Sequence, residues 1–556
     1  MIRWLALCGL SLAATMTLMT NGFVQDDLPI VAENTAIHTL GTLPQVFGQP
    51  YWPPPYPPDL YRPAALTFFG LQWAVGGGSP VAFRIVSMIL LVLTVTAVWR
   101  LGTRLCGGLG GWVAAALFAV HPVHVEANAL AVNQGELVVT LITVVATLLY
   151  LRAIDQTDGR LSTQTTFALL VLYGIGMLFK ETGTMLPAVL VLAAVLPMEK
   201  GISVRERLTR LRPTLLGLVL VASLVGLARD RALGGNLKGS FTAEALAEQT
   251  MVGRAHTMLG VYPAVARLLV WPHHLQADYS PQEFVSAETI GPDQLLGLGL
   301  LAGGLLIAVI GIRRQPALTF ALGWIAIGYF PVSNILVPAG ITLAERTLFL
   351  PSVGAALLGG MVAANWPRTR LAIIMGAVLL AGLLLAGVSR SSSRNRVWSD
   401  ERTLVTQTLI DAPLAYRTHR GMAILFFSIK EQELGERLYR RALELHPQLE
   451  VAGWELADQY RLAGMCEPAV PLYRRALERI PEQAAPRGSL IACLAWLGRY
   501  DEARIEAVVG LGIGIRRELF ARWRLEVLAA QERQAPAQTV RLVTPPADPS
   551  ERRRSW

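Results

Sequence analysis

The stretch FALLVLYGIGMLFKETGTMLPAVLVLAAVL runs from Phe167 to Leu196, and only Lys180 and Glu181 carry a charge in it. A helix needs roughly 20 apolar residues to cross the hydrocarbon core of a membrane, and somewhat fewer where flanking side chains reach the headgroups. The charged pair lies near the middle of the run. The stretch therefore predicts two membrane-spanning helices joined by a tight turn.

The rest of the chain has the same character. Of its 556 residues, 53% are hydrophobic and only 16% are charged, and the mean hydropathy is +0.44. This composition excludes an ordinary soluble enzyme and predicts an all-α, polytopic membrane protein. Apolar runs predict eleven spans, at residues 4–20, 84–100, 109–124, 134–151, 165–179, 182–197, 213–228, 293–312, 316–332, 348–365 and 371–389.

The net charge of +9 comes from arginines in short loops between the apolar runs and in the C-terminal third. With a cytoplasmic N-terminus, every inner loop carries basic residues, as the positive-inside rule requires. The charge therefore reflects topology, and no nucleic-acid partner is expected. The first span is predicted to remain as an uncleaved anchor, and residues 255–271 are predicted to lie at the outer interface as a helix.

The spans divide the chain into predicted regions. Residues 1–389 form the membrane domain, with long outer loops at 21–83 and 229–292. Residues 390–412 are a linker, 413–533 a repeat domain outside the membrane, and 534–556 a disordered tail. The odd number of spans places everything after residue 389 on the outer side.

The repeat domain is predicted from a spacing. Pro413, Pro447 and Pro481 are 34 residues apart, which is the length of a tetratricopeptide helix–turn–helix unit. The strings LYRRALELHP and LYRRALERIP recur at that period. A solenoid of such repeats presents a concave face that binds peptides or partner proteins.

The four cysteines show no metal-binding spacing. Cys466 and Cys493 are predicted to be free thiols. A disulfide between them is the alternative if the repeat domain faces an oxidising compartment.

Charged side chains at membrane depth cost roughly 2.5–3.5 kcal/mol each on insertion scales and mark candidate sites. The first cluster is NGFVQDD, which ends in Asp26 and Asp27 just beyond the first span. A carboxylate there can accept the proton of an incoming hydroxyl group. The alternative is a solvated loop with two acids.

The second cluster, HPVHVE, contains His121, His124 and Glu126, and Glu136 follows at the start of the next span. Two histidines three residues apart suggest a metal site, but helical zinc sites favour a spacing of four, and Pro122 interrupts the helix. Hydrogen bonding to an anionic or sugar group and satisfied interfacial histidines are the alternatives. We predict site-lining side chains and no metal ligands.

Two further clusters carry cations. Lys180 and Glu181 break the opening run, and this lysine can bind a phosphate or simply reach the headgroups beside its neighbouring glutamate. Glu345 and Arg346 lie at the mouth of the tenth predicted span. Arginine suits phosphate binding at low dielectric, and a salt bridge to Glu345 or another carboxylate is the alternative.

These motifs occur in a recognisable order, which is NGFVQDDLPIVAEN, YRPAALTF, LFAVHPVHVEA with NQGEL, FKETG, WPHHLQADYS and SNILVPAGITLAERTLFLPSVG. In this order the chain resembles the transmembrane and tetratricopeptide-repeat O-mannosyltransferases, relatives of the protein O-mannosyltransferases in the C-type glycosyltransferase superfamily. The resemblance covers almost the whole chain.

The resemblance implies an enzyme that moves a sugar, such as mannose, from a polyprenyl phosphate carrier to a hydroxyl acceptor, with inversion. It implies Asp26 and Asp27 as catalytic carboxylates and Lys180, Arg346 and Arg62 as phosphate-binding residues. His121, His124, Glu126, Glu136, Glu181 and Glu345 are expected to line the site. Where relatives often carry an arginine, this chain has NQGEL, so a phosphate contact at that turn is not expected.

The expected acceptor is Ser or Thr of a protein held by the repeats. No cofactor is certain, and a divalent metal is left open. The expected location is a bacterial inner membrane with periplasmic repeats, or an endoplasmic reticulum membrane with lumenal repeats in a eukaryote. The rival hypotheses are a lipid-linked-sugar flippase or transporter and a non-enzymatic assembly scaffold.

Overall fold

The computed structural model describes residues 1–54, 56, 58–156, 161–196, 203–235, 243, 246, 249–280, 284, 289–447, 450–513 and 517–532. Within these residues the chain is helical and contains no strand, which confirms the predicted all-α class. It divides into two compact units, residues 1–53 with 58–407 and residues 54–57 with 408–556. The predicted tail at 534–556 lies outside the described residues.

The described residues up to Asp411 contain fourteen α-helical segments, the last of which extends past the end of the first unit at residue 407. They are α1 (Ile2–Thr15), α2 (Pro63–Gly76), α3 (Pro80–Ala119), α4 (Val125–Ala129), α5 (Gln134–Gln156), α6 (Thr163–Phe179), α7 (Leu186–Val195), α8 (Val204–Ala232), α9 (Met251–Val270), α10 (Pro292–Arg314), α11 (Pro316–Tyr329), α12 (Phe349–Ala364), α13 (Arg370–Asn395) and α14 (Glu401–Asp411). Short 3₁₀ turns at Met16–Thr20, Pro122–His124, Ala131–Asn133, Glu181–Met185 and Glu345–Leu348 adjoin several of them.

Seven helical segments among the described residues are long and apolar enough to cross a membrane, and three shorter apolar helices accompany them. This is an integral membrane protein. The predicted spans 84–100 and 109–124 are the two helical arms of α3, which are separated at Gly107, where φ is 77° and ψ is 175°. The second arm folds back on the first, so that Gly111 packs against Gly102 and Thr103. Residues beyond Ala119 leave the helix because Pro122 starts a 3₁₀ turn. The topology prediction of eleven spans stays a prediction.

The helix boundaries follow local chemistry. Proline occupies the first turn of α2, α3, α10 and α11, where its missing N–H would have no helical partner. Ser162, Ser203, Thr250 and Thr369 cap α6, α8, α9 and α13 through their side chains. Lys180 is extended, with φ −161° and ψ 149°, so α6 ends at Phe179 and the opening stretch is broken at that point.

Two regions differ from the sequence prediction. The predicted outer loop 21–83 contains α2 and short helical turns, because its apolar residues pack into the membrane unit's core. The predicted linker 390–412 consists largely of the end of α13 and of α14. Two hydrogen bonds fix the start of this segment. The Asn395 side-chain amide donates to the Ala14 carbonyl at 2.8 Å, and the Asn21 side-chain amide donates to the Asn395 backbone carbonyl at 2.8 Å.

The second unit contains α15 (Tyr416–Ser428), α16 (Gln432–Leu445), α17 (Glu450–Leu462), α18 (Cys466–Arg479), α19 (Ala484–Trp496), α20 (Tyr500–Ile513) and α21 (Arg517–Glu532). The first helices of three successive pairs begin at residues 416, 450 and 484, 34 residues apart. This arrangement is compatible with tetratricopeptide repeats. Cys466 and Cys493 form a disulfide with a Cα–Cα distance of 5.0 Å, so the prediction of two free thiols is wrong.

Candidate active site

The two aspartates after the first span have different environments. Asp27 is completely buried, and its carboxylate accepts bonds from the backbone N–H groups of Ala131, at 3.0 Å, and Val132, at 2.9 Å. Its Oδ2 also lies 3.3 Å from the buried guanidinium group of Arg84. Asp27 thus fixes the turn that leads into α5.

Asp26 is partly exposed, and its side chain makes no hydrogen bond or ion pair with any residue that the structure describes. The loss of water around the Asp26 carboxyl raises its pKa, and the positive charge of Arg346 opposes that rise. A carboxylate that is held near cations but keeps its oxygens free can accept a proton from a bound hydroxyl group.

The backbone around Asp26 is held in place from the other end of the membrane unit. Gln25 adopts a left-handed conformation with φ 48°, which costs roughly 1–2 kcal/mol for a residue with a side chain. Its N–H donates to Glu401 Oε2 at 3.1 Å, and Gly22 N–H donates to the Ser399 carbonyl at 2.9 Å. Residues of the predicted linker therefore position the aspartates.

Three predicted phosphate-binding cations each pair with a predicted site-lining carboxylate. Arg62 Nη2 lies 2.6 Å from Glu181 Oε2, and Lys180 Nζ lies 2.9 Å from Glu136 Oε1. Arg346 binds Glu126 through both its guanidinium group and its backbone N–H. Glu126 and Glu136 are buried, whereas the cations remain partly exposed. Glu126 and Glu136 are therefore buried counter-charges for Arg346 and Lys180.

The three pairs and Asp26 lie close enough for their charges to interact. Arg346 and Arg62 both act on the pKa of Asp26. Burial lowers the pKa of Lys180, Glu136 opposes this, and the charges of Arg62 and Arg346 lower it further. The structure thus brings Asp26, Arg62, Lys180 and Arg346 into one electrostatic cluster, although they are up to 320 residues apart in sequence. We call this set, with Glu126, Glu136 and Glu181, the charged cluster.

The sequence left open which carboxylates pair with Lys180 and Arg346. In the structure neither cation pairs with the acid next to it in the chain. Lys180 pairs with Glu136 and not with its neighbour Glu181, and Arg346 pairs with Glu126 and not with Glu345. Glu345 is buried and accepts bonds from Gln276 N–H at 2.5 Å and from the Tyr279 hydroxyl at 3.0 Å. It holds the segment Leu275–Ser280 beside the turn that carries Arg346.

The two histidines are held by hydrogen bonds and ring contacts, and their predicted role in lining the site stays a prediction. His124 Nε2 lies 2.8 Å from Ser352 Oγ, and its ring contacts Phe118 and Phe349. His121 Nε2 bonds the Leu269 carbonyl at 3.1 Å, and burial lowers its pKa to about 4. Neutral imidazoles with these partners offer no charge to a phosphate. Among the described residues no group of three or more His, Cys, Asp or Glu side chains could hold a metal ion.

Sequence reasoning missed two arginines. Arg84 is the buried partner of Asp27, and Arg229, at the end of α8, lies 3.8 Å from Glu181. Their positions in the sequence could have indicated them. The positive-inside rule disfavours arginines at the outer ends of spans, and both arginines lie at predicted outer ends.

The fold and the charged cluster together define a class, namely a polytopic membrane protein with paired cations and a free carboxylate gathered where several helices begin or end. Comparison with known proteins specifies this further. Residues 62–226 match the family of dolichyl-phosphate-mannose-protein mannosyltransferases. The resemblance to transmembrane and tetratricopeptide-repeat O-mannosyltransferases is confirmed by several relatives.

A Caenorhabditis elegans protein O-mannosyl-transferase, F38B6.6, is 25% identical over 80% of this chain and 63% of its own length. The human protein O-mannosyl-transferases TMTC3 and TMTC4 are 24% and 26% identical, over 76% and 71% of this chain and 48% and 60% of their own lengths. The chain thus spans less than two thirds of each of these three relatives.

Among solved structures, the archaeal oligosaccharyltransferase AglB from Archaeoglobus fulgidus, in complex with an inhibitory peptide and a dolichol-phosphate, superposes with a TM-score of 0.42 at 12% identity. The superposition covers 71% of this chain and 55% of AglB. Nothing about the site follows from a likeness at that level.

Proposed function

We propose that the protein is a glycosyltransferase that moves a sugar, such as mannose, from a polyprenyl phosphate carrier to a hydroxyl group of a protein Ser or Thr. The observation that carries the proposal is the free Asp26 carboxylate near Arg346 and Arg62, two cations that also interact with Lys180. A base for the acceptor and cations for the leaving phosphate are the two requirements of this reaction. The matched family and the named relatives support the same chemistry.

In this proposal Asp26 takes the proton of the acceptor hydroxyl as its oxygen attacks the anomeric carbon. The bond from that carbon to the phosphate oxygen breaks on the opposite face, which inverts the configuration, as in a single displacement at a glycosidic centre. Phosphate leaves as a stable anion, so a general acid is unnecessary. Asp27 acts as a positioning residue, because its carboxylate is occupied by the turn before α5 and by Arg84 of α3.

Lys180, Arg346 and Arg62 are assigned to the phosphate. Each already holds one carboxylate, but none is fully enclosed, and their side chains are 12%, 24% and 14% exposed. An arginine has five N–H donors, so its pairing with an acid leaves donors for a second anion. Charge-assisted bonds to the phosphate would then stabilise the charge that develops as the sugar leaves.

We assign the second unit to capture of the acceptor polypeptide and place it outside the cytoplasm. The Cys466–Cys493 disulfide supports that location, because disulfides persist in oxidising compartments. In a bacterium that compartment is the periplasm, and in a eukaryote the lumen of the endoplasmic reticulum. Photo-crosslinking of an acceptor peptide to the full-length protein tests the assignment. Adducts confined to residues 1–407 would refute it.

The central test uses purified full-length protein with a polyprenyl phosphate mannose donor and Ser/Thr peptides. Wild type is expected to form glycopeptide, and Asp26→Asn is expected to lose at least 100-fold in rate, the lower end of the effect of a general base. Asp155→Asn is the matched control, because Asp155 forms an exposed pair with Arg104. Lipid translocation without transfer would identify a flippase. Absence of both transfer and translocation, together with full cellular function of Asp26→Asn, would identify a scaffold.

A further inference from the structure

Glu181 differs from the other two carboxylates of the charged cluster that pair with cations. Its Oε2 lies 2.6 Å from Arg62 Nη2, and its Oε1 lies 3.8 Å from Arg229 Nη1. Its side chain is 35% exposed, whereas those of Glu126 and Glu136 are 2% and 1% exposed. One accessible carboxylate therefore bridges two guanidinium groups.

A carboxylate between two arginines occupies the position that the oxygens of a phosphate group favour, because both anions use the same guanidinium N–H groups. Displacing Glu181 into water costs less than displacing a buried acid, since its side chain is already 35% exposed and solvent screens its ion pair in part. Displacing Glu126 or Glu136 would leave a charge buried without a partner, which is strongly unfavourable. Glu181 is thus the carboxylate that an incoming anion can replace.

Arg229 is placed to take part. It lies near the end of α8, its Nη2 approaches the Asp59 carbonyl at 3.4 Å, and its side chain is 25% exposed. Arg62 is held over the ring of Tyr51, 4.9 Å from the ring centroid. Neither arginine depends on Glu181 alone for its position.

We propose that Glu181 is an anionic placeholder, which competes with the lipid phosphate for Arg62 and Arg229 and thereby promotes release of the polyprenyl phosphate product. This inference rests on the proposed function and adds Arg229 to the phosphate-binding residues. When the anomeric carbon–oxygen bond breaks, the phosphate changes from a diester with one negative charge to a monoester with about −1.5 to −2 near neutral pH. The acceptor proton is then on Asp26.

The product therefore binds the two arginines more strongly than the donor does. Without a replacement anion, its departure would leave both guanidinium groups without a counter-charge. Glu181 supplies that charge as the product leaves, so removing the carboxylate should tighten binding of the product more than binding of the donor.

The test is equilibrium binding of polyprenyl phosphate to full-length protein in lipid nanodiscs, with the uncharged polyprenol as the control ligand. Glu181→Gln is expected to bind polyprenyl phosphate roughly 10-fold more tightly than wild type and to bind polyprenol equally. In the transfer reaction its kcat should fall as product inhibition strengthens. Inorganic phosphate should also compete better in Glu181→Gln, but at higher concentrations than the lipid, which identifies the lipid headgroup as the preferred ligand.

Arg229→Gln tests the second arginine and does not depend on the folding of the Glu181 variant. It is expected to weaken polyprenyl phosphate binding roughly 10-fold and to cancel the gain in a Glu181→Gln/Arg229→Gln double variant. Asp155→Asn is the control, because its pair with Arg104 has the same 2.6 Å distance and Asp155 is 44% exposed. It lies about 28 Å along α5 from Glu136 and should leave binding unchanged.

Equal or weaker binding of polyprenyl phosphate by Glu181→Gln, in a preparation whose wild type transfers sugar, would overturn the placeholder and leave the proposed function intact. A gain for polyprenol as large as that for polyprenyl phosphate would also overturn it, because the effect would then not concern charge. Absence of transfer and of saturable phosphate binding in wild type would reject both proposals.

Discussion

The carboxylate of Asp27 lies 3.3 Å from the guanidinium group of Arg84, and both side chains are completely buried. Asp26, the adjacent residue, has no such partner among the described residues. Two neighbouring acids that look equivalent in sequence therefore have different environments. Asp27 is buried in an ion pair, and Asp26 has a free carboxylate. This difference makes their substitutions separable by experiment.

Asp27→Asn is expected to destabilise the membrane unit by about 3–5 kcal/mol, because Arg84 would remain buried without a counter-charge. Asp26→Asn should leave stability almost unchanged while abolishing transfer. Reversible denaturant unfolding of both variants in detergent measures the difference. Equal loss of stability in the two would contradict the structural role of Asp27.

The pH dependence of kcat/KM should be bell-shaped. Asp26 acts as a base in its ionised form, so activity rises with pH through its pKa, which burial holds above the ordinary value of 3.8. Lys180 binds phosphate in its protonated form, so activity falls as pH passes through its pKa, which burial holds below 10.5. Lys180→Arg should move the alkaline limb upward, because arginine stays charged. An unmoved alkaline limb would exclude Lys180 as its source.

Glu345→Ala should release the segment Leu275–Ser280, because the Gln276 N–H and the Tyr279 hydroxyl both donate to that carboxylate. Neutral hydrogen bonds contribute about 0.5–1.5 kcal/mol each, so loss of both should accelerate hydrogen exchange in the segment roughly 10-fold. Mass spectrometry of peptic fragments measures the rate. The control is Ser352→Ala, whose hydroxyl bonds His124 and not this segment.

Reduction of the Cys466–Cys493 disulfide is expected to destabilise the second unit by about 2–4 kcal/mol, the usual effect of a native crosslink. Thermal unfolding of the full-length protein with and without reductant measures the shift. Cys106→Ser, which changes a free thiol in the first unit, should show the same shift as wild type. An unchanged midpoint on reduction would mean that the disulfide does not support the fold.

Sequence alone indicated the class of fold and named the members of the charged cluster. Long apolar runs cannot stay in water, so their number and the arginines between them indicated a polytopic membrane protein. Asp26, Lys180 and Arg346 stood out because charges beside apolar spans are costly. Arg62 was implied only by the family resemblance. A 34-residue period likewise placed the helix pairs of the second unit.

Only the tertiary structure decided which cation forms an ion pair with which carboxylate. Lys180 lies next to Glu181 in sequence yet pairs with Glu136, and Arg346 lies next to Glu345 yet pairs with Glu126. Residues adjacent in a turn point their side chains in different directions, so chain proximity does not fix ion pairs. Packing of distant helices does, and it alone left Asp26 free, buried Asp27 against Arg84, and placed Glu181 between Arg62 and Arg229.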